Sequence, residues 1–211
     1  MKMLIERGII MSRSYNGGIA SYAIWLPELT KFIELYQSGC SIDDIKQMSD
    51  EENVFQMPTK ARAKRCSRNL AVRVKALPES VLNIFPLLDT SNQKIVSLLS
   101  VMLTSRILDE FIYEVYRPKV QMREDTLQDY EVEAFINQKR IESPTIAVWS
   151  LNTYKRIKGA LKTYMRDGGL MEIDPQNKKQ DKLLFPLLDS QLILAMKVAK
   201  LDYELAALGG M

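Results

Sequence analysis

The sequence predicts an all-α, multi-helical protein with a minor β-hairpin. Apolar residues recur at three- and four-residue intervals through most of the 211 residues, which is the spacing of amphipathic helices. Residues that begin or end helices separate these stretches, and a single region around the turn “DPQNKKQD” is typical of a hairpin. We expect a flexible segment over residues 1–14, a helix-turn-helix-like N-terminal module over 15–88 and a winged-helix-like C-terminal module over 89–211.

The N-terminal module is predicted to contain three helices. The stretch “WLPELTKFIELYQSG” has helical spacing and stops at Gly39, a residue type that ends helices. Ser41 suits the N-cap of a second helix, with Asp44 in a capping-box-like position three residues on. Thr59 suits the N-cap of a third helix that runs to about Leu77. Helix, short turn, helix, loop and helix in this order are compatible with a helix-turn-helix module.

The C-terminal module is predicted to be built on one long central helix. A short helix in “PESVLNIFPLLD” leads into the pattern “NQKIVSLLSVMLTSRILDEFIYEVYR”, which Pro118 is expected to end. A shorter helix is expected over about residues 127–138. The stretch “SLNTYKRIKGALKTYMRDGG” predicts an amphipathic helix closed by Gly168 and Gly169. The hairpin and a last helix over residues 190–208 follow, and this order resembles part of a winged-helix module.

One short sequence occurs twice in the chain. “FPLLDT” over residues 85–90 recurs as “FPLLDS” over residues 185–190, and both copies precede a long helical pattern. Aspartate followed by serine or threonine is a good helix start. We therefore interpret the repeat as a shared N-cap signal rather than a duplication.

The residue types that catalysis most often uses are missing or lack a convincing context. The chain has no histidine, which removes the commonest general base near neutral pH and the Ser-His and Cys-His nucleophile pairs. Its two cysteines, Cys40 and Cys66, cannot form the usual tetrahedral zinc site without histidine, and they suit free thiols in a reducing compartment. Asp109, Glu110 and Glu114 are interpreted as acids on a helix surface. We expect no enzymatic activity, no cofactor or metal, and no small-molecule substrate.

The sequence also lacks the features that direct a chain into a membrane. The N-terminal “MKMLIERGIIMSRSYNGG” has neither the apolar core nor the cleavage site of a signal peptide. No run approaches the roughly 20 apolar residues that a membrane span needs. We therefore expect a cytoplasmic protein with no membrane contact. Met11 is an alternative to Met1 as the start of translation, because “MSRSYNGG” is polar.

Basic and acidic residues are segregated along the sequence, although the formal net charge is only +3. The stretch “MPTKARAKRCSRNLAVRVKAL” over residues 57–77 holds seven basic residues and no acid. At about 100° per residue, its apolar side chains form one stripe and its cations project mainly from the opposite half. These cations repel one another, and a polyanion is an obvious partner. The predicted DNA-binding residues on this helix are Lys60, Arg62, Lys64, Arg65, Arg68, Arg73 and Lys75.

A second basic helix is predicted directly before the hairpin. In “TYKRIKGALKTYMR” the cations cluster away from the apolar side, and the hairpin turn adds further lysines. Each basic helix also has a simpler alternative explanation. The cations of this second helix form a solvated amphipathic face, and those of the first helix form ion pairs with the acids over residues 43–52. We predict that this region contacts DNA through Lys155, Arg156, Lys158, Lys162, Arg166, Lys178 and Lys179.

Four blocks of the sequence together resemble the BrxA family of BREX bacteriophage-defence systems. They are “SYNGGIASYAIWLPELTKFIELYQSGCSIDDI”, “TKARAKRCSRNLAVRVKAL”, “SRILDEFIYEVYR” and “WSLNTYKRIKGALKTYMRDGGLM”, and the resemblance covers nearly the whole chain from about Ser12. It implies a mostly helical protein, similar in part to the NusB antitermination fold, that binds DNA without known enzymatic activity. It also implies a role in host defence beside a DNA methyltransferase and ATPases.

These observations lead to one functional prediction with two alternatives. We expect a non-enzymatic protein that contacts the backbone of double-stranded DNA through its basic helices within a BREX system. The alternatives are an assembly adaptor that holds other BREX proteins together through its helical faces, and an RNA-binding protein.

Overall fold

The computed structural model describes residues 13–21, 23–175 and 180–210, so most of the predicted flexible segment, residues 1–14, lies outside the described residues. We number the helices α1–α11 and the strands β1–β3 in chain order. The first half, after a short 3-10 turn at Gly18–Ser21, contains α1 (Leu26–Gln37), α2 (Ile42–Glu51), α3 (Lys60–Ala76), α4 (Glu79–Ile84) and a 3-10 turn at Phe85–Leu87.

The predicted helix boundaries of α1 to α3 are confirmed. Gly39 follows α1 with a φ of 100°, a left-handed conformation that glycine adopts without strain. Ser41 and Asp44 form a reciprocal capping box at the start of α2. The Thr59 hydroxyl accepts a hydrogen bond from the backbone N–H of Arg62 at 3.2 Å and caps α3.

The predicted long central helix is wrong, because two helical stretches occupy this region. Helix α5 spans Thr90–Met102, and a second stretch, α6, runs over residues 106–122 with a π-helical turn at Ile112–Tyr116. The Thr104 hydroxyl donates to the Ser100 carbonyl at 3.0 Å, and such side-chain bonds compete with the backbone ladder. The apolar spacing continues across the break, so periodicity alone could not find it.

Pro118 does not end the helix, which is a second correction. It is the second residue of the helical segment Arg117–Met122, which directly follows the π-helical turn. Proline cannot donate to the carbonyl four residues earlier. A π turn changes the local hydrogen-bond pattern, and we attribute the tolerance of this proline to that turn.

A three-stranded antiparallel sheet replaces the predicted two-stranded hairpin. Both strands of the predicted hairpin are present, although the second begins at Gln180, inside the predicted turn, and an extra strand at Thr126–Gln128 joins them in the order β1-β3-β2. The helix expected over residues 127–138 therefore begins at Asp129, because the preceding residues pair with β3. The elements here are β1 (Thr126–Gln128), α7 (Asp129–Glu142), α8 (Pro144–Ala147), α9 (Leu151–Asp167), β2 (Met171–Ile173) and β3 (Gln180–Leu183).

The predicted last helix is interrupted. It is divided into α10 (Ser190–Val198) and α11 (Asp202–Ala207), and Lys200 between them has a φ of 60°. The interpretation of the “FPLLD” repeat as a helix start is confirmed. Asp89 accepts a hydrogen bond from the backbone N–H of Asn92, and Asp189 accepts one from the backbone N–H of Gln191, both at 2.7 Å.

The described chain is all-α with a minor β element, as predicted. One hydrophobic cluster extends from Tyr15 to Leu208, and α5 lies inside it with residues 95–102 all buried. Helix α5 contacts α1 and α3 as well as α9. The division into modules at residue 88 remains a prediction. Within the described parts of the chain, every helix is too short or too polar to cross a membrane.

Candidate nucleic-acid interface

Helix α3 buries one side, as its helical wheel predicts. Ala63, Cys66, Leu70 and Val74 are at most 2% exposed. Both cysteines of the chain are free thiols. Burial raises the pKa of the Cys66 thiol to about 12, so this group stays protonated and unreactive at neutral pH.

The opposite side of α3 carries six exposed cations. Ala61 and Val72 lie among them, and Val72 is 56% exposed. A shallow groove runs along the same side and is lined in part by Arg65 and Arg68. We call these six cations the α3 ridge: Lys60, Arg62, Lys64, Arg65, Arg68 and Lys75.

The acidic stretch before α3 neutralises little of this ridge. Asp44 serves the capping box of α2, and Asp43 pairs with Lys46 at 2.9 Å. Among the described residues, a single ion pair joins the acidic stretch to the ridge, between Lys64 Nζ and Asp50 Oδ2 at 3.9 Å. That contact is long and partly exposed, and such pairs contribute little.

Arg73 does not belong to the ridge, contrary to the prediction. Its side chain is 2% exposed. The guanidinium donates to the backbone carbonyls of Ile24 and Ala23 at 2.9 and 2.8 Å, and to the Tyr164 hydroxyl at 3.4 Å. It also lies 5.4 Å from the ring centroid of Trp25. The chain that leads into α1 covers this flank of α3, so the arginine faces the interior.

Helix α9 presents a second polar and basic surface. Its residues Ile157, Leu161, Tyr164 and Met165 are at most 1% exposed and pack in the core. Arg166 is half-buried at the border of the exposed side. We call five exposed residues opposite the core the α9 face: Asn152, Lys155, Arg156, Gly159 and Thr163.

Lys158 and Lys162 do not project with Lys155, which corrects the predicted grouping. Lys158 Nζ lies 2.5 Å from Glu133 Oε1, and Lys162 Nζ lies 2.7 Å from Asp129 Oδ1 and also pairs with Asp181. Burial opposes the charge of Lys162, but its hydrogen bonds to Asp129 and Asp181 outweigh this effect and raise its pKa. Both lysines therefore hold α9 against α7, and Lys162 also holds it against β3.

The predicted contribution of the hairpin turn lies partly outside the described residues. Lys178 and Lys179 fall in residues 176–179, which the structure does not describe. The neighbouring Lys182 is exposed, and its Nζ lies 3.1 Å from Glu172 Oε1 on the adjacent strand.

Two of the three acids predicted on the surface of α6 are buried, because Asp109 is 0% and Glu110 is 3% exposed, whereas Glu114 is exposed as predicted. The N-terminal segment, α7 and α11 enclose this part of α6. Arg13 pairs with Asp109, Arg106 Nε donates to Glu110 at 2.7 Å, and Lys139 Nζ lies 3.1 Å from Glu110. Burial raises the pKa of Asp109 to about 8, although Arg13 acts in the opposite direction. These cations pair with interior acids and add nothing to the basic surfaces.

Sequence reasoning missed the acids that pair with α9. Asp129 and Glu133 are four residues apart, so they lie on one face of α7 and reach the lysines together. That spacing is readable in the sequence, but the packing partner of α7 is not. Metal ligands are also missing from the described residues, where no three cysteine, aspartate or glutamate side chains form a group suited to an ion.

The fold defines a mainly helical protein with a small antiparallel sheet, and its two basic surfaces lie on the separate helices α3 and α9. The sequence profile of the BrxA family matches residues 13–199, and the chain belongs to this family. A relative is the BREX protein BrxA of Bacillus cereus (strain H3081.97), which is 24% identical over 185 residues, 88% of this chain and 91% of the relative. The crystal structure of an uncharacterized protein from Magnetospirillum magneticum has the same fold, with a TM-score of 0.75 and 17% identity, and the match covers 93% of this chain and 98% of that one.

Proposed function

We propose that this BrxA family member is a non-enzymatic protein that binds double-stranded DNA within a BREX phage-defence system. The observation that carries the proposal is the α3 ridge. Four of its cations, Lys60, Arg62, Arg65 and Arg68, have no acidic partner within 4.0 Å among the described residues. Like charges one turn apart destabilise a helix by about 0.2–0.5 kcal/mol per pair, and a polyanion relieves this repulsion.

The order of elements around α9 supports the same function. Helix α6, strand β1, helices α7 and α9, and strands β2 and β3 follow one another, with β3 in the middle of the sheet. Apart from the short helix α8 between α7 and α9, this order resembles that of a winged-helix module, in which the helix before the hairpin lies in the DNA major groove. The α9 face belongs to that helix and points away from the core.

The two basic surfaces belong to one packed body. Arg73 of α3 donates to the Tyr164 hydroxyl of α9, and both helices pack on α5. The relative positions of the two surfaces are therefore fixed by buried contacts. Affinity comes mainly from phosphate contacts, because the charged residues of both surfaces are all cations.

Gel-shift titrations test this proposal on duplex DNA, single-stranded DNA and RNA of matched length. We expect duplex binding whose affinity falls linearly on a log-log plot against salt, with a slope of roughly 0.9 per phosphate neutralised. A flat salt dependence contradicts the proposal. Stronger binding to the RNA favours the RNA-binding alternative instead.

An assembly adaptor is the second candidate, and a separate observation favours it. Leu87 and Leu187, from the two copies of “FPLLD”, are 75% and 90% exposed. Asn92 Nδ2 donates to the Leu187 carbonyl at 3.4 Å, so the second copy lies beside the start of α5, which the first copy caps. Exposed leucines are common as single residues but mark contacts when they lie together. Loss of co-purification with other BREX proteins in a Leu87→Ser, Leu187→Ser variant that still binds DNA supports this second role.

A further inference from the structure

Gly159 lies at the centre of the α9 face, where the chain itself has no need of glycine. It is exposed in the middle of a 17-residue helix. A Cβ atom built at this position meets no atom within 4 Å, and its φ is not in the left-handed region. Glycine is the least favourable residue in a helix interior after proline. Neither packing nor backbone conformation within the described chain accounts for it.

The glycines at the end of the same helix show the contrast. A Cβ at Gly168 meets the Leu98 side chain at 2.8 Å, so the packing of α9 on α5 requires a residue without one. Gly169 has a φ of 78° and ends the helix in a left-handed conformation. Contacts and backbone conformation within the protein account for both of these glycines, whereas they do not account for Gly159.

Cations surround Gly159 on the exposed side. Lys155 and Arg156 precede it by one helical turn, and Arg166 follows it by two turns. Asn152 and Thr163, one or two turns away on the same side, are short polar residues. The side chains at the centre of this surface are therefore short and uncharged, whereas long cationic side chains lie at its borders.

We propose that the edges of the base pairs in a DNA major groove approach the backbone of α9 most closely at Gly159. This proposal rests on the duplex binding proposed above and names the point of closest approach. A helix with its side chains is about 10–12 Å wide, and the major groove is about 12 Å wide. A side chain at the centre of the inserted face keeps the helix away from the groove floor. The absence of one lets α9 enter deeply while Lys155 and Arg156 reach phosphates at the groove edges.

Substitution of Gly159 tests the proposal because its effects on folding and on binding are opposite. Gly159→Ala should raise the melting temperature by about 2–4 °C, since alanine favours the helix. The same change should weaken duplex binding about tenfold, because a methyl group occupies the space of the groove floor. Gly159→Leu should weaken it further. The salt slope should stay unchanged in both variants, because neither removes a charge.

Ala134→Leu is the matched control. It adds bulk at an exposed position of α7 in the same part of the molecule, and it should leave duplex affinity unchanged. If both Gly159 variants bind duplex as tightly as the wild type, this inference is overturned. Binding of duplex by the wild type then still supports the proposed function. An equal loss of affinity for single-stranded DNA also overturns it, because single strands have no groove. Failure of the wild-type protein to bind duplex overturns both proposals.

Discussion

At residue 73 an arginine lies in the interior of a helix whose other cations face solvent. Its guanidinium replaces water with the carbonyls of Ala23 and Ile24 and with the Tyr164 hydroxyl. Hydrogen bonds of this kind offset much of the cost of burying a charge. The helical wheel placed Arg73 at the border of the exposed half, and the acceptors are backbone groups, which no side-chain pattern reveals. This residue could not be assigned from sequence alone.

Arg73→Gln should therefore destabilise the protein, whereas the matched change Arg62→Gln on the α3 ridge should not. Glutamine cannot reach or satisfy all three acceptors, and we expect a loss of about 3 kcal/mol. The exposed change should stay within about 0.5 kcal/mol. Urea unfolding of the two variants measures both values. Equal stability of the two variants contradicts the buried position of Arg73.

The buried Asp109 predicts a pH dependence of stability. Burial, with a smaller contribution from Glu204, raises its pKa from 3.8 to about 8 on folding. The folded state therefore binds the proton more tightly than the unfolded state. The contribution of Asp109 to the free energy of unfolding is therefore fully present below about pH 4. It decreases as the pH rises from there through about 8, by up to about 1.4 kcal/mol per pH unit.

Asp109→Asn cannot titrate, so it should lose less stability than the wild type between about pH 6 and pH 8. Urea unfolding at several pH values measures the difference, and other titrating groups cancel in the comparison. Parallel loss of stability in the two proteins contradicts a raised pKa of Asp109.

At the scale of elements, local signals predicted well wherever one residue type determines the structure. Gly39, Ser41, Thr59 and Gly168 are at the ends they predict, because caps and left-handed residues act within one turn. The failures depend on contacts between distant residues. Strand β1 exists because β3 pairs with it, and the tolerance of Pro118 depends on the π turn before it.

The two basic helices can be compared by charge removal that leaves their buried sides intact. Lys64→Gln, Arg65→Gln and Arg68→Gln together should weaken duplex binding and reduce the salt slope by roughly 0.9 for each phosphate that is no longer neutralised. Helix propensity changes little, so melting should be nearly unchanged. Lys155→Gln with Arg156→Gln should likewise weaken duplex binding and reduce the salt slope through α9.

Lys158→Gln with Lys162→Gln provides the contrast within the same helix. These lysines pair with Asp129, Glu133 and Asp181, so their removal should lower the melting temperature and leave the salt slope unchanged. If neither exposed set affects duplex affinity in folded protein, the DNA proposal fails and the adaptor role remains. If one set alone matters, that helix is the main DNA-binding element.

At the scale of the whole molecule, α5 joins the parts that the sequence divides at residue 88. It packs against α1, α3 and α9, and the described core is one cluster. We therefore expect both predicted modules to unfold in a single cooperative transition. The chain has two tryptophans, Trp25 before α1 and Trp149 before α9, and each reports on one module.

Trp25→Phe and Trp149→Phe variants isolate the two signals. The fluorescence transitions in urea, each compared with circular dichroism of the same variant, should have the same midpoint. Leu98→Ala in α5 should lower the free energy of unfolding measured by both fluorescence signals by about 2–5 kcal/mol, because Leu98 packs deep in the shared core. A variant that shifts one transition and leaves the other in place indicates two independent folding units.

The complete burial of residues 95–102 in α5 also determines how this helix exchanges its amide hydrogens with deuterated solvent. A helix with a solvent-exposed face exchanges its amide hydrogens through local fraying. Solvent reaches the amides of residues 95–102 only when the surrounding helices separate. Their exchange rates therefore measure the free energy of opening the whole protein. The amides of α10, which is exposed at Leu194 and Val198, should exchange earlier through partial opening. A ligand that binds the folded protein should slow the α5 amides by the full factor that its binding adds to global stability.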